Sequence, residues 1–195
     1  MEAVRGETGQ AGRRLAVFVA IVIANTLLSA FAVVGAGIAP GIASFYLAVG
    51  FMIAFALWFG GWGVLAAYLG CILGAGLVAG VPGWLNPVWS LADLWQVLIP
   101  LAAFRAFHAD VGLSTRRDFG IFLAFGWFAN NLAGAAWGSV TLALGGVIPW
   151  GGVEAAFVSW LAGNLFMTMI ITTLLLVFVT PRVREAGILV TGTWA

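Results

Sequence analysis

Long apolar stretches, separated by short segments rich in glycine, proline or charge, dominate the chain. Six of them can be delimited, at about 14–36, 43–60, 62–80, 88–107, 119–145 and 153–180. Each has about the 20 apolar residues that a helix needs to cross the hydrocarbon core of a bilayer. They are continuously apolar and lack the alternation of a transmembrane β-barrel, so the pattern predicts helices. Only Gly60 and Gly61 divide the second stretch from the third, which predicts a tight helical hairpin.

The composition agrees with a membrane protein. Of the 195 residues, 63% are hydrophobic and 8% are charged, whereas soluble domains have about 25% charged residues. A water-soluble globule is excluded because too little polar surface is available, and intrinsic disorder is excluded because it requires low hydrophobicity. We therefore predict an all-α fold, a polytopic membrane bundle of six transmembrane helices at 14–180. Short segments, 1–13 and 181–195, flank this bundle.

The basic residues are all arginines, and they predict the orientation of the bundle. They lie before the first predicted span, between the fourth and fifth, and after the sixth: Arg5, Arg13, Arg14, Arg105, Arg116, Arg117, Arg182 and Arg184. The intervening loops carry no charge: 37–42, 81–87 and 146–152. By the positive-inside rule we expect both termini in the cytoplasm and a multi-pass protein of the cell membrane. The first apolar run is too long for a cleaved signal peptide, so we expect a permanent span.

An acidic residue lies inside the fourth predicted span, about one and a half turns from its outer end. Asp93 shares a helix face with Gln96, three residues later, and Trp89, four residues earlier. An ionisable side chain within a membrane helix is costly and generally marks a functional site. Two interpretations stay open: Asp93 contacts a ligand or ion in a cavity open to the outside, or it caps a neighbouring helix or meets interfacial water.

Four further residues complete the candidate ligand site. Glu154 opens the sixth span, where it either stabilises the helix N-terminus or stands at the mouth of the same cavity. Asn131 and Asn164, near mid-membrane, either line the floor of the pocket or form hydrogen bonds between helices. Trp137 is a candidate pocket wall, whereas an interfacial belt explains most of the other tryptophans.

Residues for catalysis or metal binding are not recognisable in the sequence. One histidine and one cysteine make a Cys/His metal site implausible, and neither a nucleophile–base pair nor a phosphate-binding glycine loop is present. The net charge of +1 gives no indication of nucleic-acid binding. We expect a protein that is not an enzyme, holds no cofactor and works on a small-molecule ligand within the lipid bilayer.

Small residues repeat every fourth position on the first predicted helix, at Ala16, Ala20 and Ala24. Such spacing lets helices approach closely in lipid. With six helices and both termini inside, the chain resembles, over nearly its whole length, the substrate-binding S components of energy-coupling factor (ECF) transporters. The run 46–70, where a glycine-rich turn precedes a helix of small residues, is similar to the second-to-third helix hairpin of that family, and 164–181 is similar to its last helix.

The resemblance implies a membrane subunit that binds a vitamin or another small molecule near the outer surface. It also implies that the alanine motif docks onto a transmembrane coupling subunit, which works with two ATPases. The run 44–50 and the Gly-Trp turn after it equally resemble the membrane sensory domains of bacterial histidine kinases and diguanylate cyclases, which implies signalling through a partner. A structural protein without a ligand is a third interpretation, and an intramembrane enzyme a fourth.

Overall fold

The chain folds into helices over most of residues 2–39 and 42–190, the part that this computed structural model describes. Six helices follow one another in that part: α1 Glu2–Phe31, α2 Ala48–Phe59, α3 Gly61–Gly76, α4 Asn86–Ala106, α5 Arg116–Leu144 and α6 Trp150–Glu185. The expected six-helix, mainly helical architecture is therefore confirmed. The predicted tight turn is also present, because Gly60, with φ +60°, is the one residue between α2 and α3.

Three of the six helices, α4, α5 and α6, are long and apolar enough to cross a membrane. The apolar parts of the other three are shorter, and α2 has only 12 residues. At 1.5 Å per residue α2 is about 18 Å long, less than the ~30 Å hydrocarbon core. Ten of its residues are buried, so α2 is apolar all round because other helices surround it.

A β-hairpin occupies the connection between α1 and α2. Its strands, β1 Val33–Ala39 and β2 Ile42–Tyr46, pair in antiparallel register, and β2 packs against the first half of α6. The prediction was therefore wrong at the end of the first span and at the start of the second. The physical reason is that these residues are as apolar as the helices beside them. The valines and glycines of β1 favour extended or irregular backbone over helix, and the isoleucine and aromatic residues of β2 favour a strand. Residues 40 and 41 of the predicted loop lie outside the described residues.

Helices α1 and α3 pack closely through glycines on α3. A Cβ on Gly70 would lie 2.6 Å from the Cβ of Asn25, and one on Gly74 would lie 2.6 Å from the Thr26 carbonyl oxygen. Small residues at such positions let two backbones approach in lipid. Phe18, earlier on α1, packs against Trp62 at the start of α3 with the rings tilted by 59°. The two helices therefore run parallel.

Arginine side chains gather at one end of the bundle, which we call the arginine end: Arg105, Arg116, Arg117, Arg182 and Arg184. Contacts between the ends of α4 and α6 establish this placement. Arg184 pairs with Asp110 of the loop after α4, and Arg105 donates from Nη2 to the Val190 carbonyl oxygen after α6 at 2.8 Å. The side chains of Arg5, Arg13 and Arg14 lie outside the described part. The opposite end, with exposed Trp84 and Trp150, is the tryptophan end.

The Asp110 carboxylate orders the loop at the arginine end. It accepts hydrogen bonds from the Ser114 hydroxyl and the Gly112 N–H and pairs with Arg184. Partial burial opposes ionisation of Asp110, but the bonds from Ser114 and Gly112, together with the Arg184 guanidinium, outweigh burial and hold the pKa of Asp110 below its ordinary value.

This lowered pKa predicts how stability depends on acidity. The contribution of Asp110 is fully present above its unfolded-state pKa of about 3.9, and it is lost as the pH falls through the lower pKa of the folded protein. We expect the free energy of unfolding of the unmodified protein to exceed that of the Asp110→Asn variant by a constant amount at neutral pH. The excess should shrink below about pH 4, as measured by thermal unfolding in detergent. An excess that grows on acidification would contradict this linkage.

Candidate functional site

Asp93 lies in the first half of α4, with only 2% of the residue exposed. The Tyr46 hydroxyl oxygen, at the end of β2, lies 3.1 Å from Asp93 Oδ2 and 2.7 Å from Ser29 Oγ on α1. A tyrosine hydroxyl has one proton to donate. With an ionised Asp93, Tyr46 therefore donates to the carboxylate and accepts from Ser29. This chain of hydrogen bonds ties the β-hairpin to α1 and α4.

The Cys71 thiol on α3 completes the surroundings of the carboxylate. It is buried and lies near Asp93. We call Ser29, Tyr46, Cys71 and Asp93 the Asp93 cluster. Four elements supply it. Tyr46 bonds to the carboxylate directly, Ser29 is connected to it through Tyr46, and both groups are neutral, as is the Cys71 thiol. Among the described side chains the carboxylate forms no ion pair, so its negative charge is uncompensated inside an apolar bundle.

A network of buried polar side chains, which begins about one turn further along α4, joins three helices. Gln96 Nε2 donates to Asn131 Oδ1 on α5 at 2.7 Å. Asn131 Nδ2 in turn donates to Thr168 Oγ1 on α6 at 3.1 Å and to the Trp127 carbonyl oxygen at 2.7 Å. We call Gln96, Asn131 and Thr168 the Gln96 network. All three residues are fully buried, and their bonds correspond to the interpretation of Asn131 as a polar link between helices.

The two candidate tryptophans each pack against another tryptophan. Trp89 is buried, and its ring packs edge-on against Trp160 with the centroids 5.8 Å apart. Trp137 packs against Trp95 at 6.1 Å and donates from Nε1 to the Val88 carbonyl oxygen at 2.8 Å. Trp137 also lines an open, mainly apolar groove of about 500 Å³ near the tryptophan end, so it is a wall of that surface groove.

The remaining two candidates differ in burial. Asn164 on α6 is 2% exposed, and its Nδ2 has no hydrogen-bond partner among the described residues. Glu154 is exposed near the start of α6, and the described side chains include no contact between it and the Asp93 cluster. The structure thus brings Gln96 and Asn131 together, and it places Glu154 outside the buried cluster.

Sequence reasoning missed three members of the Asp93 cluster. Tyr46 lies 47 positions from Asp93 and 17 from Ser29, so no local spacing joins them. One signal was available for Tyr46, because it is one of only two tyrosines in the chain, and a buried tyrosine hydroxyl generally requires a hydrogen-bond partner. Cys71 was interpreted as a buried apolar residue, and burial is confirmed.

The alanine stripe of α1 lies on the side away from the bundle. Ala16 and Ala20 are exposed and Ala24 is half-buried. The opposite side of the helix carries the buried residues Asn25 and Ser29, which face α3. The small-residue side of α1 is therefore open to contact from outside the bundle.

The chemistry that the site supports is binding by hydrogen bonds and charge. Within the described residues, no group of three or more His, Cys, Asp or Glu side chains could hold a metal ion. Comparison of the chain with family models, curated proteins and solved structures finds no match. The class that the fold defines is a mainly helical protein with three helices suited to cross a membrane, and its function has to be inferred from the site.

Proposed function

We propose that this protein binds a small organic molecule at the Asp93 cluster and takes part in its uptake across the cell membrane. The observation that carries the proposal is the buried Asp93 carboxylate, which has no ion-pair partner among the described residues and is connected by the Tyr46 hydroxyl of β2 to Ser29 of α1. Burial of an ionisable group at such a position costs free energy and is typical of functional sites in membrane proteins. A ligand that adds hydrogen-bond donors or positive charge offsets this desolvation cost when it binds.

The proposed topology places six helices in the membrane, with the arginine end and both termini in the cytoplasm. The arginine distribution supports it through the positive-inside rule, and α4, α5 and α6 support it by length and apolarity. Asp93 lies seven residues after Asn86, the first residue of α4, which is about 10 Å along the helix. Asp93 is therefore nearer to the tryptophan end, from which a solute would enter, than to the arginine end.

Uptake requires partners in this proposal, namely a transmembrane coupling subunit and ATPases. The resemblance to ECF S components suggests them, and the open position of Ala16, Ala20 and Ala24 on α1 supports a docking role. Small residues at four-residue spacing let a partner helix approach the backbone closely. Replacement of an alanine by a large side chain would keep such a helix at a distance.

The test compares two carboxylates that differ in burial. Purified protein in detergent is screened for thermal stabilisation by a library of vitamins, amino acids and amines, since bound ligand raises the unfolding midpoint. We expect Asp93→Asn to weaken binding of the stabilising molecule about tenfold or more, because a charge-assisted hydrogen bond is lost. The matched control Glu154→Gln, at an exposed site, should leave affinity unchanged. Equal affinities of the two variants would overturn the assignment of the site.

A sensory domain that signals through a partner is the second candidate function. One observation favours it: the Val190 N–H after α6 donates to the Trp58 carbonyl oxygen at the end of α2, at 2.8 Å. A movement of α2 would therefore move the segment after α6 through this hydrogen bond. Vesicles that hold the protein with its coupling partners distinguish the two functions, because uptake of the bound molecule is expected only from a transport subunit.

A further inference from the structure

A cavity of about 380 Å³ lies at the arginine end, remote from the Asp93 cluster. Its volume is within the range of small-molecule sites, roughly 300–1,000 Å³. Leu57, Leu101 and Phe104 form an apolar floor, and residues 189 and 190 of the segment after α6 form one wall. The floor residues are at most 3% exposed, so they are held firmly by the core behind them.

The rim of this cavity carries an excess of positive charge. Arg105 and Arg184 line it together with one carboxylate, Asp110, and with His108. Among the lining residues that the structure describes, two guanidinium groups and one carboxylate carry a formal charge of +1. An arginine has five N–H donors in a planar fork, and Arg184 keeps 44% of its side chain exposed while it pairs with Asp110. Donors therefore remain for an additional acceptor.

Both arginines are fixed in position by contacts with other parts of the chain. Arg105 donates to the Val190 carbonyl oxygen, and Arg184 is held by Asp110. Guanidinium groups that are already ordered lose less conformational entropy on binding an oxyanion, and their geometry matches phosphate. The combination of a cationic rim and an apolar floor suits a ligand that joins a phosphate to an apolar group.

We infer that this cavity binds a phosphate ester, with its phosphate on Arg105 and Arg184 and its apolar part on the floor. The ester is either a soluble organic phosphate or the headgroup region of an anionic lipid, since both present the same chemistry. This cavity is separate from the site proposed at Asp93, and binding of a phosphate ester there does not depend on solute uptake.

Three probes test the ligand class on the whole purified protein. Phenyl phosphate should raise the thermal unfolding midpoint at lower concentrations than inorganic phosphate, because only the ester reaches the apolar floor, and phenol should have no effect. Reconstitution in vesicles with and without phosphatidic acid, on a phosphatidylcholine background, distinguishes a lipid source from a soluble one. Stabilisation by either ester supports the inference, and stabilisation by neither overturns it.

Three variants separate binding from structure. Arg184→Gln should weaken phenyl phosphate binding about tenfold, as expected for one charge-assisted hydrogen bond. Asp110→Asn breaks the same ion pair and loosens Arg184 but keeps the guanidinium, so affinity should fall less than in Arg184→Gln. Arg182→Gln is the matched control, since Arg182 is exposed on the same helix and donates to the Phe178 carbonyl oxygen four residues earlier.

For each variant, the ligand-induced shift in the unfolding midpoint is measured relative to the same variant without ligand. Comparison of these shifts tests whether the arginines bind the phosphate. Equal weakening in Asp110→Asn and Arg184→Gln would mean that the ion pair only shapes the loop. Equal weakening in Arg182→Gln would mean that the phosphate responds to general surface charge. Either result would overturn the assignment of the cavity.

Discussion

Gly63→Ala is expected to prevent the bundle from folding stably, although the change adds a single methyl group. Gly63 lies near the start of α3, where a Cβ would meet the backbone of α2 at the Phe55 carbonyl group and 2.6 Å from Ala56 Cα. Backbone atoms cannot turn aside as a flexible side chain does, so α2 and α3 would have to separate. Because α2 is the most enclosed helix, with ten of its 12 residues buried, separation opens the core.

Gly63→Ala is expected to lower the free energy of unfolding by about 3 kcal/mol or more, the upper end of the usual range for overpacking. This effect is measured as a lower unfolding midpoint and as a loss of monodisperse protein in size-exclusion chromatography. Gly120→Ala is the matched control, since Gly120 is exposed on α5 and a Cβ there meets nothing within 4 Å. That variant should gain up to about 1 kcal/mol from helix propensity. A similar loss in both variants would contradict the backbone contact as the cause.

Hydropathy predicted the number of helices but not every boundary, and the connection between α1 and α2 shows why. Transfer of apolar residues out of water favours burial without specifying the backbone conformation. Gly60 and Gly61 interrupt the apolar run and therefore marked the turn between α2 and α3 correctly. Val33–Ala39 offers no polar interruption, and its pairing with β2 is an interaction between segments that hydropathy does not report.

The candidate site was predictable only in part: Gln96 and Asn131 were both placed in it, but the partners of Asp93 were not. Asp93 and Gln96 were expected on one face, yet three residues of a helix turn through about 300°, which leaves them roughly 60° apart. That angle is enough to direct Asp93 to Tyr46 of β2 and Gln96 to Asn131 of α5. The partners of each residue come from distant parts of the chain, and a single sequence specifies such contacts only through the completed fold.

Asn131→Ala is expected to destabilise the protein by about 2 kcal/mol, because it leaves Gln96 Nε2 and the Thr168 hydroxyl without their buried partner. The change corresponds to about a 30-fold shift in the folding equilibrium. Titration with a denaturing detergent, followed by circular dichroism, measures it. The Gln96 network lies between α4, α5 and α6, so its loss should loosen the three helices that are long enough to span a membrane.

Asn25→Ala provides the contrast, because it removes the same atoms from an equally enclosed position on α1. Asn25 is 1% exposed, and neither atom of its amide has a partner among the described residues. Loss of an unpaired buried amide relieves a desolvation cost that offsets the packing lost with the side chain. We expect a change within about 1 kcal/mol. If the two variants lose equal stability, their common cavity is responsible and the hydrogen bonds of Asn131 do not hold the three helices together.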